Sequence, residues 1–146
     1  MKARFVTKAA LSALALAFAG TLPGVAQQTA APAVDSVKAS AVEKVFIVKM
    51  ADIVQAGLKA GALDVKAVSG VLNEAVKADV SDRVMGAMVS MAAGAFPSSA
   101  PAVASAAVRS YGSNIREGHV RNVIASAVSS QSNPYASVAP ISEAVE

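Results

Sequence analysis

The stretch from Val84 to Phe96, VMGAMVSMAAGAF, decides the fold. It opens an interval without charge: no Asp, Glu, Lys or Arg occurs between Arg83 and Arg109. Such an interval reads either as a membrane-inserting hairpin or as the pair of helices at the centre of a small core. Each of its two arms is about 12 residues long, and a spanning helix needs roughly 20 apolar residues. Pro97 and Pro101 sit at the joint, as in an ordinary helical hairpin. The core reading is therefore favoured.

Met85, Met88 and Met91 recur at steps of three in the first arm. A methionine stripe can ligate a soft metal or line an adaptable groove. With no Cys and a single His in the chain, core filling is the expectation.

Working outward, the third predicted helix covers Arg83 to Phe96, with Ser81 or Asp82 as its cap. Ser98 or Ser99 can cap a fourth, Ala100 to about Tyr111, with Pro101 in its first turn. A fifth runs from Asn114 or Ile115 to Ser130, with Ile115, Val120, Val123, Ile124, Ala127 and Val128 as its apolar face. Glu117 and Arg121 are spaced for an exposed pair. Ser132-Asn-Pro134 ends it, and a last short helix within Tyr135 to Glu146 is expected to start near Pro140.

Upstream, Val42, Phe46, Met50, Ile53, Val54 and Leu58 recur at steps of three and four, predicting a first helix over Ala41 to Lys59. Lys44, Asp52, Gln55 and Lys59 fall on its other side. Gly57 and Gly61 match the spacing of a membrane helix-dimer motif. The charges at Lys49, Asp52 and Lys59 argue instead for a close packing point and a helix end. Asp64 is a plausible cap for the second helix, whose stripe is Val65, Val68, Leu72, Ala75 and Val76.

Small residues recur in one frame. Val71 precedes Ala75-Val76, Met88 precedes Ala92-Ala93, and Val103 precedes Ala107-Val108. Val123 precedes Ala127-Val128, and Pro140 precedes Ala144-Val145. A degenerate helical repeat is one reading, and coincidence in a chain rich in Ala and Val is the other. The irregular spacing departs from solenoid periods. The fold class expected is all-α: a compact array of five or six short antiparallel helices.

Residues 1–26 read as a secretory signal peptide. Lys2, Arg4 and Lys8 form a basic start, Ala9 to Gly20 is apolar, and Gly24-Val25-Ala26 is a cleavage site. Residues 27–40 read as a flexible leader, and 41–146 as a single helical domain. The net charge of +3 and pI of 9.4 invite a nucleic-acid partner. All three excess charges belong to the signal, however, and the remaining ten cations balance ten acids. Nucleic-acid binding rests on clustered cations, so none is expected. An exported protein, periplasmic or secreted by a bacterium, is expected.

The chemistry is thin. His119 is the sole imidazole, and it borders the buried face between Ile115 and Val123, where a structural role is expected. No nucleophile elbow, zinc-protease motif or phosphate loop is present. Asp79 and Asp82 flank a helix start, where acids are favoured. No residue is assigned a catalytic, cofactor-binding or metal-ligating role, and no cofactor is expected. The reading is a non-catalytic protein-interaction or self-assembly module of the cell envelope. The alternatives are association with a membrane surface through the uncharged 84–108 segment and, less favoured, a small hydrolase.

Overall fold

The computed structural model describes residues 39–146. The expected signal, 1–26, and most of the expected leader lie outside the described residues. Six α-helices follow in order: α1 (Ala41–Ala60), α2 (Val65–Lys77), α3 (Asp82–Ala95), α4 (Ala100–Ser110), α5 (Glu117–Ser129) and α6 (Pro134–Glu143). Short 3-10 turns, Pro97–Ser99 and Gly112–Asn114, precede α4 and α5. Among the described residues there is no strand.

Local chemistry sets the helix ends. Ser40, expected in the leader, caps α1 in a reciprocal box with Glu43, satisfying amides that have no partner inside the helix. Gly61 closes α1 at φ 77, a left-handed conformation that costs a glycine little. Asp64 caps α2 by accepting from the Ala67 amide at 3.0 Å. At the other end of α2, Asp79 takes φ 54, and the Val80 amide reaches back to the Ala75 carbonyl at 3.1 Å. A short polar residue tolerates that position better than most.

Two helix starts differ from expectation. The fifth helix begins at Glu117, not at Asn114 or Ile115, because the chain first makes a 3-10 turn and then extends through Ile115 and Arg116. Ile115 therefore leaves the apolar face and is exposed. The last helix begins at Pro134, with Asn133 as its cap and Pro140 inside it. A proline fits the first turn of a helix without loss, so Pro134 starts the helix that the sequence reading places near Pro140. Ile141, not Pro140, is the buried residue there.

The helices form two layers. α1, α3 and α5 pack side by side in one, and α2, α4 and α6 in the other. Neighbours in the first layer run parallel, which corrects the expectation of antiparallel neighbours throughout. Glu43 at the start of α1 meets Ser81 at the start of α3, and Gly57 near the end of α1 meets Phe96 just past the end of α3. Between α3 and α5, Asn122 Nδ2 donates to the Asp82 carbonyl at 2.7 Å. The Ser90 hydroxyl donates to the Ser126 carbonyl at 2.9 Å, and Gln131 Nε2 to the Ala93 carbonyl at 3.1 Å. Consecutive helices turn back on each other, so parallel packing arises between every second helix. Lys49 and Glu74, paired at 2.7 Å across α1 and α2, lie evenly about the turn at Gly61 as an antiparallel hairpin requires.

The uncharged segment is the centre of this core. Met85, Met88, Val89, Ala92, Ala93, Val103, Ala104 and Ala107 are all fully enclosed, and Met91 is buried. Fully burying one such methionine contributes about 1.5–3 kcal/mol. Of the recurring Ala positions, 75, 92, 107 and 127 are each at 0% exposure, where a small side chain lets helix axes approach, whereas Ala144, at the end of α6, is only half-buried. Gly57 is a close packing point, since a Cβ there would stand 2.9 Å from the Phe96 ring. Val42 and Leu58, expected in the buried stripe of α1, are instead 58% and 50% exposed. With α3 on one side only, the buried arc of α1 is too narrow to include them.

Candidate functional site

The chemistry-bearing residues meet where α3 starts, α4 ends and α5 begins. Tyr111 closes α4 and is buried. Its ring stacks on His119, with centroids 4.1 Å apart and planes 11° apart. Its hydroxyl donates to Asp82 Oδ1 at 3.1 Å, and His119 Nε2 lies 3.6 Å from the same oxygen. Burial first, then the charge and hydrogen bond of Asp82, push the Tyr111 phenol well above its ordinary range. These residues line a cleft of about 510 Å³ together with Asp79, Asn114 and Arg116.

His119 is hydrogen-bonded through one ring nitrogen, and the other lies near Asp82 without a hydrogen bond. Nδ1 accepts from the Arg116 amide at 3.2 Å, which completes the first turn of α5, while Nε2 faces Asp82. The ring also forms part of the cleft wall. No acid lies four positions from His119 along α5, where Ile115 and Val123 stand, but Asp82 approaches from α3. In sequence Asp82 is set aside as a helix-start acid and Tyr111 reads as an ordinary helix end, so neither is linked to His119. Only the stacking of hairpins brings those termini together. Among the described residues, no group of three or more His, Cys, Asp and Glu side chains converges to hold a metal ion.

A second feature lies at the two ends of the first layer. On the free side of α1, Val42, Val45 and Val48 are 58%, 52% and 57% exposed. On the free side of α5, Val120, Ile124 and Val128 join Val138 of α6 in a shallow apolar groove of about 400 Å³, rimmed by Glu117 and Arg121. Those two rim residues form the ion pair their spacing predicts. Among the described residues, no helix is long and apolar enough to cross a membrane.

No protein family, curated protein or solved structure matches the chain. The site's own geometry carries the functional reading.

Proposed function

We propose that this protein is an exported, non-catalytic helical module of the bacterial cell envelope that works by protein contacts at the ends of its helix stack. The observation that carries this reading is the pair of apolar strips on α1 and on α5 with α6. Stacked helical hairpins normally close with a polar outer face, and contiguous apolar surface marks interaction sites. The three hairpins α1–α2, α3–α4 and α5–α6 fit a degenerate repeat of two helices rather than one. The Tyr111–Asp82–His119 cluster supports a structural role, since each member completes a helix end or a packing contact. A membrane role for residues 84–108 has little surface to act through, because that segment forms the core.

The test is site-specific photo-crosslinking in the native cell. A photoreactive residue at Val45 or Ile124 should give protein adducts that the same residue at exposed Lys66 does not. Equal labelling at all three positions would refute the interaction reading. Mass spectrometry of the native protein checks export: a mature chain starting at or near Gln27 is expected, and a dominant species retaining residues 1–26 would contradict it.

A further inference from the structure

We infer that the partner of the α5–α6 groove is the α1 face of a second copy, so that copies stack head to tail and continue the α1–α3–α5 layer. This inference rests on the interaction reading above and names its occupant. The two apolar strips are not placed at random: α3 contacts α1 and α5, and each strip lies on the side of its helix turned away from α3. They therefore face opposite ways along the one direction in which this fold stacks.

The joint would repeat a relation the chain already makes. α1 meets α3 in parallel, start to start, and α3 meets α5 in the same sense. An α1 seated on α5 in that sense adds a third contact of the same kind, with Val45 and Val48 entering the groove lined by Val120, Ile124 and Val128. The order of charges agrees. Along α1 the ridge Lys44, Val48, Asp52 runs base to acid, whereas the groove rim runs acid to base from Glu117 to Arg121. The parallel sense brings Lys44 to the Glu117 end of the rim and Asp52 to its Arg121 end, so that the two outer charges extend the existing Glu117–Arg121 pair into an alternating run; the antiparallel sense opposes like charges. Such complementarity fixes register more than affinity. Ten cations and ten acids beyond residue 26 leave the copies without net repulsion.

The contact is heterologous, using different surfaces on the two copies, and a heterologous contact that does not close on itself propagates. Sedimentation of the full mature chain tests this. The sedimentation coefficient should rise with concentration beyond that of a dimer. Val45→Asp, on an exposed residue of the α1 strip, and Ala125→Glu, at the exposed edge of the groove, should each abolish that rise while helical circular dichroism stays intact. Val138→Asp is a second groove variant at an exposed position. Mixed in equal amounts, the α1 variant and either groove variant should form a one-to-one pair and nothing larger, because each retains the face the other has lost. An unmodified chain that stays monomeric, a single variant that still self-associates, or variants that fail to pair would each overturn the inference. A monomer that crosslinks other proteins at Val45 or Ile124 overturns head-to-tail stacking alone. A monomer without adducts overturns the interaction reading as well.

Discussion

Gly86 of α3 lies so close to Ser126 of α5 that a Cβ at position 86 would stand 2.6 Å from the serine Oγ. Asn122 follows at 3.2 Å. The parallel pair α3–α5 depends on this approach. Gly86→Ala gains about 1 kcal/mol of helix propensity but incurs overpacking of about 1–3 kcal/mol, for an expected net loss. Ser126→Ala removes the obstructing oxygen, so it should reduce that loss, and a double-mutant cycle followed by urea denaturation measures the coupling. A Gly86→Ala variant more stable than its parent would mean that the Ser126 hydroxyl turns aside at little cost, and would overturn the expected loss.

Met88 is fully enclosed at the centre of the uncharged segment. Met88→Ala should destabilise by about 2–5 kcal/mol. A change near zero in chemical denaturation, with helical circular dichroism intact, would mean that this side of α3 is not core.

The existence of all six helices was legible because apolar residues recur at steps of three and four, and because Ser, Asp, Gly and Pro punctuate the joints. Gly57 and Gly61 were readable even in their separate roles. The pairing of helices was not, since spacing along a chain says where a helix turns back and nothing about which distant helix it meets. That is why the parallel layer, and with it the exposure of Val42 and Leu58, emerged only in three dimensions. His119 could be singled out as the sole imidazole, whereas its partners Asp82 and Tyr111 belong to other helices.

Glu43 gives a pH signature on the acid side. Its carboxylate accepts from the Ser81 hydroxyl and amide and from the Ser40 amide. The Ser81 hydroxyl bond, then the bonds from Ser40 and the Ser81 amide, hold its pKa at about 2 against an ordinary 4.5. A depressed carboxylate stabilises the fold above its unfolded pKa, and the contribution is lost as pH falls from about 4.5 towards 2. Melting temperature should decline over that window, and Glu43→Gln should flatten the decline. An unchanged acid profile in the variant would exclude this linkage.

Tyr111 gives the opposite signature. Its phenol stays protonated in the fold at a pH where an ordinary tyrosine, with a pKa of 10, ionises on unfolding. Stability is then present below pH 10 and lost as pH rises beyond it. Tyr111→Phe should remove that alkaline slope and cost about 0.5–1.5 kcal/mol at neutral pH. Thermal melts between pH 8 and 11 check both effects.

His119→Ala should cost about 1 kcal/mol, within the range for losing a helix cap, and speed hydrogen exchange at the Arg116 amide. Esterase or peptidase activity in the parent that disappears in a folded His119→Ala protein would restore the hydrolase alternative.

Parallel packing also has an electrical consequence. Each helix carries partial positive charge at its N-terminus, and α1, α3 and α5 bring three such termini to one edge, where they repel. Each of these three helices has an acid in its first turn, Glu43, Asp82 and Glu117, whereas in the other layer only α2 has an acid at its start, the cap Asp64. At about 0.3–1 kcal/mol apiece, the three carboxylates turn an edge of aligned macrodipoles from a source of repulsion into a neutralised seam.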